Sequence, residues 1–348
     1  MRRVGTCLDR RFFKHIPPES HPEHPGRLEV VQGVLERPSY AERIQPLPAK
    51  AALLKDLTRI HTRAYLDRLA ETAGTKTAIF PDPDTYVSAG SWEAARWAAG
   101  GTVAATDAVL DGVVDAAFVF PRPPGHHAEA DRTCGFCLVN NIAVAAAHAV
   151  EERELSRVLV LDWDLHHGNG TQHSFYARKD VLYMSLHQSP YFPGTGAATE
   201  VGSGEGAGYT VNVPIPAGRG DRDYLAVFRD VFLPVALQYR PELVLVSAGF
   251  DPYYLDPLGG MKVTAEGFGR MTKTLAELAD EVCGGRIVFV LEGGYHLEGL
   301  RDSVRWCLDV LTDPAAAARA ADPHDAPTPE GRTAIEKAQA AQREFWRF

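Results

Sequence analysis

The sequence predicts a single α/β domain with a central, largely parallel β-sheet flanked by helices, and three observations carry that prediction. Six apolar, β-branched-rich runs recur along the 348 residues, segments of helix length separate most of them, and no internal repeat or long linker divides the chain. Several runs are apolar at successive positions, so both faces are buried, as in interior strands covered by helices. Strands alternating with helices of this length require crossover connections, and hence parallel pairing.

In chain order the expected strands are residues 4–8, 116–120, 157–161, 181–186, 243–247 and 286–291. The expected helices begin with 91–110, rich in Ala and Trp, where Gly100-Gly101 reads as a weak point or break. Residues 141–155 are nearly all Ala, Val and Glu, and 223–239 and 265–280 keep apolar residues three and four apart. From Thr312 the composition changes. Residues 312–348 read as a C-terminal extension to a main domain of residues 1–311, with a helix over 329–348 for which Thr328 is the N-cap and Pro329 the first turn.

Composition narrows the function classes. Lys+Arg 36 against Asp+Glu 45 gives a net charge of −9, the wrong sign for a duplex-wrapping protein, so no direct nucleic-acid binding is expected. No apolar run approaches the length of a membrane span, and the N-terminal apolar segment is too short for a signal peptide; a cytoplasmic protein with no membrane contact is expected. The cysteines Cys7, Cys134, Cys137, Cys283 and Cys307 are odd in number and form no disulfide framework. Cys134 and Cys137 have zinc or redox spacing, but without a second pair the signal is weak. Nothing sets the oligomeric state, and a homo-oligomer is compatible with the sequence.

The chemistry lies where polar residues follow the strands. The expected strands deliver Arg122-Pro123-Pro124-Gly125-His126-His127, then Asp162-Trp163-Asp164-Leu165-His166-His167-Gly168-Asn169-Gly170, then Gly249-Phe250-Asp251, then Glu292-Gly293-Gly294-Tyr295. Carboxyl ends of parallel strands share one sheet edge, so these four segments converge on one crevice. Asp164 and His166, two apart on extended chain, point the same way; a second carboxylate such as Asp251 completes a three-ligand set that leaves a position open for water. Two carboxylates and a neutral imidazole balance a divalent ion, with zinc first and ferrous iron second. Asp162 has the same parity but as a fourth ligand would close the site, so it is placed behind the ligands, orienting an imidazole or joining a monovalent cation. A lone Asp at a strand end is ordinarily a helix cap or turn residue. Three acidic or imidazole positions in five residues outweigh that reading.

His126-His127 on a stiff Pro-Pro-Gly approach suits a proton carrier beside a histidine that supplies hydrogen bonding and positive potential. Tyr295, after paired glycines, can donate to a carbonyl oxygen as it gains charge, although a buried structural tyrosine has equal claim from the local sequence. Phe136 and Phe192, in loops bounded by Gly and Pro, can line a narrow slot for an aliphatic chain or simply pack in the core.

Together these residues resemble the histone deacetylase family, within the arginase/deacetylase fold. The likeness runs from about residue 11 to residue 307 and adds Gly135-Phe136-Cys137 with Asn140, and Phe192-Pro193-Gly194, to the motifs above. The resemblance implies zinc on Asp164, His166 and Asp251, with His127 the general base and acid, His126 its electrostatic partner held by Asp162, and Tyr295 the donor to the substrate carbonyl. It also implies Phe136 and Phe192 as walls of an acyl-lysine tunnel, and a structural potassium ion at the Asp162 side chain, the carbonyls of Asp164 and His166, and groups around Ser185 and Leu186.

Ser247-Ala248-Gly249-Phe250-Asp251 and Asp256-Pro257-Leu258-Gly259-Gly260 are similar to the class II branch. Asn169 stands where class I has an aspartate, so it can hydrogen-bond His127 but adds no negative charge. Tyr295 separates the chain from class IIa enzymes, which have histidine there. The implied activity is zinc-dependent removal of acetyl or other acyl groups from lysine side chains, with acylated peptides or proteins, or acetylated small amines, as partners. An acetylpolyamine amidohydrolase is the second expectation. It is weakened because Leu258 stands where a glutamate gatekeeper selects cationic amines. A non-catalytic acyl-lysine reader is the alternative of another class, and Asp84 resembles a rim residue that accepts from substrate backbone N–H groups.

Overall fold

Eight strands pair in parallel, in a computed structural model that describes residues 2–18, 20–75 and 81–348. They are β1 Val4–Cys7, β2 Ile44–Pro46, β3 Ala116–Val119, β4 Val158–Asp162, β5 Val181–Gln188, β6 Thr210–Ile215, β7 Leu243–Ala248 and β8 Ile287–Leu291. Their order in the sheet is β2-β1-β3-β8-β7-β4-β5-β6. The six strands expected from the sequence are the six interior ones, and every residue in them is buried.

The two strands not anticipated are the edges. β2 is three residues long and partly exposed, and β6 carries Asn212 and Pro214; each edge thus holds a proline, which an interior ladder excludes. The β6 edge is covered by the C-terminal segment. Helix Pro329–Gln342 starts at Thr328, whose hydroxyl accepts from Gly331 N at 3.0 Å. At its far end Gln342 Nε2 donates to Thr210 O at 2.7 Å, and beyond it Trp346 Nε1 donates to Gly208 O at 2.7 Å. Covering an edge in this way removes unpaired backbone groups that would otherwise template aggregation.

The helices expected over 141–155 and 329–348 end early, at Glu151 and Gln342, and two others depart from expectation within their length. Helix Ser91–Leu110 runs unbroken through Gly100-Gly101. A Cβ on Gly100 would stand 2.0 Å from Lys50 O and 2.3 Å from Ala52 N, so this glycine serves close backbone approach rather than a break. The expected helix over 223–239 is Asp221–Val227, a π-helical turn Phe228–Phe232 and Leu233–Tyr239. Pro234, which cannot donate into a regular ladder, is the second residue after the π turn. Among the described residues no helix is long and apolar enough to cross a membrane.

The topology places the chemistry. β3, β8, β7 and β4 are consecutive neighbours at the middle of the sheet, so the loops beginning at 120, 292, 249 and 163 leave from one edge, side by side. Trp163, fully buried against Phe228, Phe268 and Phe289, anchors the start of the β4 loop in the core.

Candidate active site

The β4 loop turns Asp164 and His166 toward Asp251 from the end of β7. His166 Nδ1 lies 3.2 Å from Asp164 Oδ1 and 3.1 Å from Asp251 Oδ2. Backbone groups occupy the other carboxylate positions: Gly293 N donates to Asp164 Oδ2 at 2.8 Å, and Leu165 N to Asp251 Oδ1 at 3.0 Å. A Cβ on Gly249 would meet Asp164 Oδ2 at 2.0 Å, and one on Gly293 would meet Asp251 Oδ2 at 2.2 Å, so both glycines let the backbone close around the carboxylates. Among the described residues this is the one group of three whose ligand atoms converge, all within 4.8 Å.

The electrostatics fit a cation. Burial, and next the charge of Asp164, push Asp251 up to about 7. Burial opposes the charged form of His166, but its hydrogen bonds to Asp164 and Asp251 outweigh it and hold the ring at about 9. A buried site that draws a proton onto its imidazole in this way can take a divalent ion in the proton's place, and two carboxylates with one imidazole form a three-donor set with room for a further ligand.

Beside this cluster the β3 loop presents both histidines, held from below by Glu292, whose Oε2 accepts from Gly125 N at 2.6 Å and His126 N at 3.1 Å. His126 Nδ1 meets Asp162 Oδ2 at 3.0 Å. Burial disfavours the charged ring, yet Asp164 and Asp162 outweigh it and raise His126 to about 10. His127 Nδ1 meets Asn169 Oδ1 at 2.7 Å. Burial, then the neighbouring His126 and His166, keep His127 well below the usual imidazole value. One ring thus favours the cation and the other stays neutral, a division suited to an electrostatic group beside a proton acceptor.

Tyr295 comes from the loop after β8. Asp256 Oδ2 accepts from Tyr295 N at 2.6 Å and His296 N at 3.0 Å, while Arg27 lies over the phenol ring at 4.9 Å and donates to Gly294 O at 2.7 Å. Burial raises the phenol well above its ordinary value, so the hydroxyl keeps its proton.

His127, His166 and Tyr295 open onto a cavity of about 260 Å³ with Phe136, Phe192 and Leu258 in its wall. Phe136 meets Tyr295 edge-on at 5.8 Å, and Phe192 meets His127 edge-on at 5.2 Å. Phe136 has φ 70°, an uncommon backbone for an aromatic residue, and its N–H donates to Thr85 Oγ1 at 2.9 Å. Asp84 also lines this cavity; burial, and next its hydrogen bond with Asp82, raise it to about 6. Three larger surface grooves among the described residues, about 520 Å³ beside helix Ser91–Leu110, about 620 Å³ beside β2 and about 400 Å³ between Arg2 and Pro314, hold no such three-ligand group. The Cys134 and Cys137 thiols are pushed up by burial, Cys134 to about 11, which keeps both in the unreactive form.

Several groups that hold the site together were not singled out as site residues from sequence. Glu292 and Asp256 lay inside quoted motifs, as charged residues beside glycines. Glu23, Arg27 and Arg122 form a fully buried network: Arg122 Nη2 donates to Glu23 Oε2 at 3.0 Å, and Arg27 Nη1 to Glu23 Oε1 at 3.3 Å. The signal was weak, because Glu23 and Arg27 lie in a His- and Pro-rich stretch without strand or helix periodicity.

Comparison with known proteins agrees with this geometry. Residues 21–311 match the histone deacetylase domain. A probable deacetylase of Archaeoglobus fulgidus is 39% identical over 298 residues, covering 85% of this chain and 82% of that protein. A human polyamine deacetylase is 39% identical over 347 residues, covering 95% of this chain but 50% of the relative's length. The crystal structure of the HDA15 HD domain superposes with a TM-score of 0.92 at 38% identity, covering 99% of this chain and 97% of that one. The chain therefore belongs to the histone deacetylase family of hydrolases and has its arginase/deacetylase fold.

Proposed function

We propose that the chain is a zinc-dependent amidohydrolase that removes acetyl or other acyl groups from lysine side chains of peptides or proteins. One observation carries the reading: the Asp164, His166 and Asp251 ligand atoms converge, and His166 opens, with a neutral His127 and a protonated Tyr295, onto one cavity walled by Phe136 and Phe192. A divalent ion held by Asp164, His166 and Asp251, with zinc the first choice and ferrous iron the second, supplies Lewis acidity toward the amide carbonyl and the attacking water. His127 accepts the proton from that water and returns it to the departing lysine amine, so the amide C–N bond breaks with proton balance. Tyr295 donates its hydroxyl to the carbonyl oxygen as charge develops there, and His126 adds positive potential. Phe136 and Phe192 hold the apolar stem of the side chain, and Asp84 at the cavity supports a contact with substrate backbone N–H groups.

The family resemblance also carries a structural potassium ion. The Asp162 side chain would help to hold such an ion; among the described residues its Oδ1 accepts only from Asp164 N, at 3.1 Å, and Asp162 pairs in register with Ser185 across β4 and β5.

Acetylpolyamines are the second reading, favoured by the likeness to a polyamine deacetylase and opposed by Leu258, which offers no carboxylate for a distal ammonium. A non-catalytic reader has no use for a proton donor such as Tyr295 in the cavity. The test compares kcat/KM for acetyl-, propionyl- and longer acyl-lysine peptides with acetylputrescine and acetylspermidine. Acyl-lysine peptides should lead; a preference for acetylpolyamines above about tenfold would replace the first reading with the second.

A further inference from the structure

His127, Asn169, Glu129 and His173 form one hydrogen-bonded chain from the floor of the cavity toward solvent. His127 Nδ1 lies 2.7 Å from Asn169 Oδ1. Asn169 Nδ2 donates to Glu129 Oε1 at 2.6 Å and, at greater length, to the His127 carbonyl at 3.3 Å. The Glu129 carboxylate in turn meets His173 Nδ1 at 2.9 and 3.0 Å, with Arg132 Nη2 3.6 Å away. Glu129 and Asn169 are buried and His173 is exposed. Asn169 and His173 lie four residues apart on helix Asn169–Phe175, so one helical face offers both to the same carboxylate.

The polarity of this chain has a consequence. An ionised carboxylate only accepts, an amide has one accepting and one donating end, and a neutral imidazole carries its proton on one nitrogen or the other. Glu129 draws the NH₂ end of Asn169 to itself, which turns Oδ1 toward His127, requires the hydrogen on Nδ1 and leaves the lone pair on Nε2 for proton transfer. We infer that Glu129 is a positioning residue that fixes the Asn169 amide and, through it, the Nδ1–H tautomer of His127. A neutral amide, unlike a carboxylate, can turn over, and Glu129 supplies the direction that Asn169 lacks. Glu129 stays ionised for this purpose: burial favours its neutral form, but the hydrogen bonds from His173 and Asn169 hold it below the ordinary carboxylate value.

The functional importance of the tautomer rests on the acyl-lysine hydrolase reading; the tautomer itself is read without substrate. The zinc-loaded protein labelled with ¹⁵N-histidine is examined by long-range proton–nitrogen NMR, with the His127 signals assigned by their loss in His127→Ala. The wild type should show Nδ1–H at His127. Glu129→Gln, whose amide can face Asn169 either way, should admit the Nε2–H form and lower kcat by about tenfold with KM changed less than about twofold. The double variant Glu129→Gln with Asn169→Asp places an acceptor-only group against Nδ1 again and should recover most of the lost kcat and a single Nδ1–H signal. Nε2–H in the wild type would overturn the inference outright, with no variant needed. So would Nδ1–H and undiminished kcat in Glu129→Gln, or a double variant worse than the single one. Intact Nδ1–H in the wild type, with no turnover of any acylated substrate, would instead count against the hydrolase reading alone.

Discussion

Replacing Glu23 by Gln removes the one carboxylate shared by two buried guanidinium groups. Arg122 Nη2 lies 3.0 Å from Glu23 Oε2, Arg27 Nη1 lies 3.3 Å from Glu23 Oε1, and Tyr86 donates to Oε2 at 3.0 Å, all in the dry interior. The amide fills the same space but leaves both cations uncompensated, a change that costs about 3 to 5 kcal/mol. The titration of Glu23 gives a second figure. Burial would raise the carboxyl, but Arg122, then His15 and Arg27, outweigh burial and lower it from 4.5 to about 2. That depression corresponds to about 3 kcal/mol at neutral pH. For 348 residues the unfolding entropy is roughly 0.7 kcal/mol/K, so Glu23→Gln should lower Tm by about 5 °C at pH 7. The sign with pH is fixed. A depressed carboxylate stabilises above its unfolded value and loses that contribution as pH falls toward its folded value, so the gap between wild type and variant should narrow from about pH 5 to about pH 3. Scanning calorimetry across that range tests both statements. A Tm within about 1 °C of wild type at pH 7, or a gap independent of pH, would refute the reasoning. The same substitution loosens the site, because Arg27 also donates to Gly294 O at 2.7 Å, next to Tyr295.

Tyr295→Phe should lower kcat about a hundredfold, some 3 kcal/mol of transition-state stabilisation, while metal content by elemental analysis stays at the wild-type level. Asp251→Ala should lose bound metal as well as turnover, since Asp251 Oδ2 lies 3.1 Å from His166 Nδ1 in the proposed ligand set; undiminished metal binding would remove Asp251 from it. Leu258→Glu should move relative kcat/KM toward acetylspermidine, because a carboxylate in the cavity wall attracts the distal ammonium; an unchanged ratio would exclude Leu258 as a selectivity position.

The interior of the fold was legible because β4, β7 and β8 are buried on both faces, and continuous apolar runs such as Val158 to Leu161 mark such strands. β2 and β6 were not, since an edge strand with one wet side and a proline resembles loop sequence. Gly100 misled for a related reason. Local propensity reads glycine as a weakness, whereas its value here is the missing Cβ beside Lys50 O, a contact made by chain far away. In the site, Asp164 and His166 were legible because both lie on one short loop. Glu292 and Asp256 were not assigned roles, because each acts on the backbone N–H groups of another loop, 166 residues away in the case of His126 and 39 in that of Tyr295. Glu129 stood two residues after His127, but its bond to Asn169 depends on a loop and a helix meeting across 40 residues.

The central claim is that the ligand trio and the groups around it hydrolyse an acylated lysine rather than hold it. The most direct measurement is single-turnover release of acetate from an acetyl-lysine peptide by protein stripped with chelator and then reloaded with one equivalent of zinc, beside His127→Ala loaded to the same zinc content. Equimolar acetate and deacetylated peptide from the reloaded wild type, none from the stripped protein and next to none from His127→Ala are the predicted results. Full zinc occupancy with peptide bound and no acetate released, or equal release by wild type and His127→Ala, would contradict the account.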